Sequence, residues 1–169
     1  RLQFEYRFDP KGNLIEEKDA LNNITRREYD SLGRLRRVIY PAGNRESFSY
    51  DPLGNRTEVA DGRGNITRYT FNSLGWLTAI RDPLWNVTEY RYDPNGNMVV
   101  MVAANGLTTV NRYDELNRLV ERTDPPGVTT LFSYDGAGNL LRKKDPRGTI
   151  WQYEYYANHL LKKLHLTGA

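Results

Sequence analysis

The stretch YDPLGNRTEVADGRGNITRYTF, residues 50–71, holds one full unit of the pattern that decides the fold. It runs from one aromatic, Tyr50, to the next, Phe71, an interval of 21 residues. Two turn signals lie between them, Asp51-Pro52-Leu53-Gly54-Asn55 and Asp61-Gly62-Arg63-Gly64-Asn65. In such a turn Asp accepts hydrogen bonds from backbone amides just ahead of it and proline pre-sets φ. Glycine takes the positive φ that closes the loop, and Asn tolerates that region nearby. The segment Ile66-Thr67-Arg68-Tyr69-Thr70-Phe71 is β-branched and aromatic. It is too short for an average helix and reads as a strand. One unit is therefore an antiparallel hairpin plus its link to the next.

The same beat continues in both directions. The aromatic and its acid or amide recur at Phe8-Asp9, Tyr29-Asp30, Tyr50-Asp51, Phe71-Asn72, Tyr92-Asp93, Tyr113-Asp114 and Tyr134-Asp135. Tyr155-Tyr156 falls on the beat without the acid. Turn glycines follow at Gly12, Gly33, Gly54, Gly75, Gly96 and Gly138. A second turn comes half a period later, as at Asp82-Pro83-Leu84-Trp85-Asn86, Asp124-Pro125-Pro126-Gly127-Val128 and Asp145-Pro146-Arg147-Gly148-Thr149. Eight anchors over residues 1–169 predict a single repeat region of about sixteen short strands.

Two sets of side chains are candidates for burial. Aromatics two apart, such as Tyr69 and Phe71 or Tyr90 and Tyr92, share one face of a strand. After the turn an aliphatic recurs at Leu14, Leu35, Leu77, Met98, Leu119, Leu140 and Leu161, with a further column at Val38, Val59, Ile80 and Met101. Leu35 and Val38 are three apart, a gap that does not preserve a face in an ideal strand. Either a bulge intervenes or both faces are partly covered.

Composition narrows the class. Hydrophobic residues are 38% of the chain and twelve are tyrosines, which suits half-buried positions better than a deep core. No window approaches the ~18 apolar residues of a membrane-spanning helix. The absence of cysteine excludes disulfides and thiolate metal sites. Basic and acidic residues, 24 and 21, are interspersed, which argues for a solvated repeat surface and against a nucleic-acid footprint. The first residues are already in register with the repeat, so the chain reads as a segment of something longer. A flat sheet of sixteen strands would run ~75 Å, and open sheets of that extent coil, split or flatten. The expected object is an all-β, extended, curved or spiralling antiparallel sheet of hairpins. Its terminal strands present unpaired backbone groups, open to self-association or to capping.

The texts YDSLGRL from Tyr29, YDPLGNR from Tyr50, YDPNGNM from Tyr92, YDELNRL from Tyr113 and YDGAGNL from Tyr134 resemble the RHS family, whose units are also called YD repeats. The resemblance covers essentially the whole chain. It implies a continuous β-sheet spiralling into a hollow shell, of which this chain would be a fragment. In bacterial members that shell encloses a C-terminal toxin or effector domain, with further repeats or a capping domain covering the sheet edges. It implies a parent that is secreted or at the cell surface. Related shells occur in insecticidal toxin complexes, and an animal adhesion family uses the same unit. The resemblance supplies no catalytic residue. It marks Phe8, Asp9, Tyr29, Asp30, Tyr50, Asp51, Phe71, Tyr92, Asp93, Tyr113, Asp114, Tyr134, Asp135 and Tyr155 as structural anchors.

Departures from the pattern are the places to look for sites. Trp76 and Trp85 stand where Arg or Asn and Gly are usual, which predicts a widened turn or a ligand contact. Asn117 replaces a turn glycine and can adopt positive φ. Each turn offers one Asp, too few oxygens for a calcium solenoid, so no metal is expected. His159 and His165 have no paired acid motif and read as incidental. Asn23, Asn55, Asn65 and Asn86 begin Asn-x-Thr sequons that follow automatically from the turn text. No nucleophile elbow or phosphate loop is present, no carboxylate pair stands out, and no cofactor is implied. The expectation is a non-enzymatic wall segment that helps encapsulate and deliver a toxin or effector polypeptide, with no nucleic-acid partner and no membrane segment of its own. The alternative is an extracellular adhesion or carbohydrate-binding module.

Overall fold

The computed structural model describes residues 3–168. Among them every regular element is a strand. The chain divides into two compact units, Arg1–Val87 and Thr88–Ala169. The first contains β1 (Glu5–Phe8), β2 (Leu14–Lys18), β3 (Ile24–Tyr29), β4 (Leu35–Ile39), β5 (Arg45–Tyr50), β6 (Arg56–Ala60), β7 (Ile66–Phe71) and β8 (Leu77–Arg81). The second contains β9 (Val87–Tyr92), β10 (Met98–Val102), β11 (Thr108–Tyr113), β12 (Leu119–Asp124), β13 (Val128–Tyr134), β14 (Leu140–Lys144), β15 (Ile150–Tyr155) and β16 (Leu161–Thr167). Strand order in the open sheet is chain order, and the pairing is antiparallel. Turns this short allow no other connection. No described helix is long and apolar enough to cross a membrane.

A bulge resolves the gap of three. In the β3–β4 hairpin Tyr29 pairs with Leu35, but the next pair is Glu28 with Arg37, so Arg36 has no opposite number. Val38 then stands across from Arg27. Tyr29 and Arg27 share a face, so Leu35 and Val38 share it too. The same shift occurs beside the first turn of every hairpin, between Phe8 and Leu14 as between Tyr155 and Leu161. Covering both faces is not needed to explain the spacing.

The expected burial is only half realised. Val38, at 6% exposure, is the one buried hydrophobic residue among those described. The other aromatic and aliphatic columns in the middle of each unit are half-buried, while Tyr6 and Phe8 on β1 are exposed. The physical reason is that, among the described residues of each unit, no second layer covers either face. Each ring is shielded only by neighbours on its own sheet. The opposite face carries cross-strand ion pairs, Arg26–Glu16 at 3.0 Å and Arg68–Glu58 at 2.6 Å. Such exposed pairs contribute at most ~1 kcal/mol each.

Candidate functional site

The chemistry-bearing groups of this chain converge on its turns. At Asp51 the backbone closes twice: the Asp51 amide donates to the Asn55 carbonyl at 3.0 Å, and the Gly54 amide donates to the Asp51 carbonyl at 3.1 Å. The carboxylate then locks the loop. Oδ1 accepts from the Asn55 amide at 2.8 Å and Oδ2 from the Asn55 side-chain amide at 2.9 Å. At Asp9 the Lys11 amide also donates to Oδ1, at 2.9 Å. Asp19, Asp61, Asp82, Asp93 and Asp135 repeat this network. The Asn side-chain amide is the leading cause that holds the carboxyls of Asp9, Asp51, Asp93 and Asp135 below their ordinary pKa. At Asp30 and Asp114 the backbone amides of Arg34 and Arg118 lead. Each carboxylate accepts bonds that favour its charged form.

The role of Asn differs from expectation. Positive φ falls one residue earlier, on glycine or on Asn22, Trp85, Asn117 and His159 at φ 60–68°. Asn is there as a donor to the Asp carboxylate. The sequon residues Asn23, Asn55, Asn65 and Asn86 all spend their side-chain nitrogen this way, at 2.8–2.9 Å.

Arginine substitutes for Asn in two repeats, at Arg34 and Arg118. Arg34 Nε reaches Asp30 Oδ2 at 2.7 Å, while Nη1 donates to the carbonyl of Asp51, in the next first turn, at 3.0 Å. Its guanidinium lies 4.7 Å from the Tyr50 ring centroid. Arg118 repeats this with Asp114, the Asp135 carbonyl at 2.8 Å and the Tyr134 ring at 4.9 Å. These arginines clamp successive turns together. In other repeats, Asn97 donates to Asn117 Oδ1 at 2.7 Å, and His159 Nδ1 lies 3.1 Å from Asn139 Oδ1.

The anchor tyrosines close a seam. Tyr29, Tyr50, Tyr113, Tyr134 and Tyr155 donate their hydroxyls to the carbonyls of Leu14, Leu35, Met98, Leu119 and Leu140 at 2.8–3.1 Å. Each acceptor lies 15 residues earlier, on the preceding strand. The β2–β3 ladder pairs only Glu16 to Lys18 with Ile24 to Arg26 and stops before Leu14. The hydroxyl supplies a bond where the ladder no longer reaches. Phe8 and Phe71 have no hydroxyl to do this.

The tryptophan positions fold normally. The turn from Asn72 to Trp76 keeps both backbone bonds at 2.9 and 3.0 Å, and that from Asp82 to Asn86 keeps them at 3.0 and 3.1 Å. Neither is widened. Trp76 is half-buried. Trp85 is 69% exposed beside exposed Leu84, with the Arg81 guanidinium 4.5 Å from its ring. His165 lies 3.4 Å from Glu154.

The half-period turns form also at Asp19, Tyr40 and Ala103, and Tyr156 turns without an acid; Asn22, Gly43, Gly106 and His159 take the positive φ. Two features escaped the sequence. Asp124 breaks the pattern because Pro126 has no amide to donate. Its carboxylate instead accepts from Arg122 Nε at 2.8–2.9 Å and from Thr109 Oγ1 at 3.1 Å, and the Pro125–Pro126 bond is cis. Arg122 is the first cause that lowers its pKa. Asn111 stands in the aromatic column at 6% exposure and donates to the Met98 carbonyl at 3.0 Å.

A groove of about 570 Å³ beside the first turns of β1–β4 is lined by Asp9, Glu16, Arg26, Arg27 and Tyr29. Of its charges, Arg26 is paired with Glu16 and Arg27 with Glu17, and Lys11 donates to the Ser31 carbonyl. Among the described residues no cluster of three or more His, Asp or Glu could hold a metal ion.

An RHS Repeat family model matches residues 8–45, 29–66, 50–84, 71–109, 113–150 and 134–168. No curated protein matches the chain. Among solved structures, TcdB2-TccC3 without its hypervariable C-terminal region is similar at 20% identity and TM-score 0.74, over 94% of this chain and 10% of that one. TcdB2-TccC3-TEV is similar at 21% and 0.73, over 90% and 10%. A Tc holotoxin pore of Photorhabdus luminescens with a TccC3 variant is similar at 21% and 0.71, over 90% and 10%. The chain thus spans about a tenth of the length of these structures.

Proposed function

The chain belongs to the RHS repeat family, and we propose that it is a wall segment of a shell that encloses a toxin or effector polypeptide and helps deliver it. The observation that carries this reading is the single-layer sheet of in-register hairpins. It builds area with little core, and its polar groups are spent on holding turns together. A wall of this kind presents a half-buried aromatic face and a charged face. Either can border a cavity without fusing to what lies inside. The reading makes the segment non-catalytic, since its carboxylates repeat from turn to turn and catalysis needs a unique constellation. It also places the parent protein outside the bacterial cell or at its surface.

The test is electron microscopy of the polypeptide that carries this segment, combined with limited proteolysis. A hollow particle that protects an internal polypeptide from protease is the expected result. A particle with no internal cavity overturns the proposal.

One observation favours a second reading, a carbohydrate-binding or adhesion surface. Trp85 is exposed and held in the left-handed region, where a side chain is strained. Glycan-array binding lost in Trp85→Ala would support it.

A further inference from the structure

Two asparagines in this chain are followed by glycine, Asn95 and Asn105. Glycine has no side chain to crowd its own nitrogen. In such a pair the glycine amide can attack the side-chain carbon of the preceding asparagine. Both pairs take the third and fourth places of a turn, one from Asp93 to Asn97 and the other from Ala103 to Leu107. Both asparagines are exposed. The two turns are fastened differently.

In the first turn the Asp93 carboxylate accepts from the Asn95 and Asn97 amides at 2.9 Å and from the Asn97 side chain at 2.8 Å. The Asn95 side-chain nitrogen also donates to Asn117 Oδ1 at 3.0 Å. In the second turn Ala103 stands where the acid would be. The Leu107 amide donates instead to Asn105 Oδ1 at 3.1 Å, and leucine has no side-chain amide to repeat the bond of Asn97. Among the described residues nothing holds Asn105 Nδ2. Each glycine nitrogen is tied in the closed turn, Gly96 to the Asp93 carbonyl at 3.1 Å and Gly106 to the Ala103 carbonyl at 2.8 Å. Attack therefore waits for the turn to open. The turn with fewer and uncharged fastenings opens more often.

We propose that Asn105 is the site at which this chain modifies itself, by deamidation through a succinimide. When the turn opens, hydroxide takes the Gly106 amide proton and the nitrogen bonds to Asn105 Cγ. The bond from Cγ to Nδ2 breaks, and that nitrogen leaves as ammonia with a proton from water. Water then opens the ring at either carbonyl and leaves aspartate or isoaspartate, with no change of oxidation state. Either product adds a negative charge to the turn. Aspartate keeps the oxygen that the Leu107 amide uses. Isoaspartate routes the main chain through its side-chain methylene, one atom longer, so the backbone bonds that close the turn lose their geometry. The modification thus loosens the link between β10 and β11. It depends on five consecutive residues and on no partner, and it is independent of what the sheet encloses.

Peptide mapping of the 169-residue chain, held in mildly alkaline buffer, tests it. Mass spectrometry reads the change from amide to acid, and an isoaspartate methyltransferase labels the rearranged product. The expected result is that Asn105 converts about fivefold faster than Asn95, the effect of about one net hydrogen bond on opening. In urea the two rates converge, because neither turn is closed. Ala103→Asp installs the missing acceptor, removes nothing that the fold uses, and slows Asn105 toward the rate of Asn95. Equal rates in the folded chain, or a faster Asn95, overturn the proposal. So does an Asn105 rate that Ala103→Asp leaves unchanged, or a difference that persists in urea.

Discussion

The repeats anchored at Tyr50 and at Phe71 adjoin each other and differ in almost every signature side chain. The first has a tyrosine hydroxyl on the Leu35 carbonyl, a carboxylate, and Asn55 donating to it. The second has phenylalanine, the amide Asn72, and Trp76 in the donor position. Yet the turns coincide. Asn72 Oδ1 accepts from the Leu74 and Trp76 amides at 3.0 and 2.9 Å, and the backbone bonds match those at Asp51. The path of the chain is therefore set by positive φ, since Tyr40, Ala103 and Tyr156 close the same two backbone bonds with no carboxylate or amide oxygen at the first position. The hydroxyl and the second carboxylate oxygen add fastening to a shape that exists without them.

The largest effect on this comparison should come from the shared element. Gly54 sits at φ 91° with no neighbour within 4 Å of where a Cβ would be, so a substitution there is strained by backbone conformation alone. Gly54→Val should cost about 1–3 kcal/mol. Gly75→Asn should cost less than about 1 kcal/mol, because Asn adopts this region readily. Urea unfolding measures both. Exchanging the anchors comes next. Tyr50→Phe should lose about 1 kcal/mol and Phe71→Tyr should gain up to about the same. If Phe71→Tyr gains nothing, the two seams differ in more than the hydroxyl.

A pH series sharpens the difference in charge. The Asp51 carboxyl is held below its ordinary value, first by the Asn55 side-chain amide. Its contribution to stability is present above the unfolded value of about 3.9 and is lost as pH falls through the lower folded value. Asp51→Asn should therefore be less stable than wild type at neutral pH and should converge with it in acid. Asn72→Asp should gain acid sensitivity. Thermal melts from pH 2 to 7 would show both. Trp85→Gly should move stability least, within about 0.5 kcal/mol. Relief of the left-handed strain is offset by the lost Arg81 stack and by glycine's greater freedom when unfolded.

Much of the fold could be read along the chain because its information is local. A hairpin needs a turn and two short strands, and Asp51 to Asn55 announce the turn within five residues. What stayed hidden depends on distance across the sheet. The Tyr29 hydroxyl finds a carbonyl 15 residues back, and no local pattern shows that the ladder ends before Leu14. The Arg34 clamp on Asp51 is visible only once adjacent turns lie side by side, although Arg34 and Arg118 in place of the usual Asn were there to be noticed. The columns read as buried are only half-buried, as the tyrosine content suggested, because an aromatic column does not reveal whether anything packs over it. The spacing of Leu35 and Val38 was noticed, and only the register could show Arg36 standing out of the ladder.

That skipped residue has a geometric consequence. From Arg7 the ladder passes to Glu16 and then to Arg26. Arg26 lies 19 residues on, while the equivalent of Arg7 in the next repeat is Glu28, 21 on. Each hairpin is thus displaced two residues along its neighbour. Without the bulge the displacement would be a single residue, and successive repeats would turn opposite faces outward. With it the faces agree and the strands are staggered by about one residue each. A stagger of ~3.3 Å per ~4.8 Å of sheet corresponds to a lean of ~35°, within the range found in closed β-barrels. One unpaired residue per repeat keeps the two faces of the wall distinct and sets the slant of its courses.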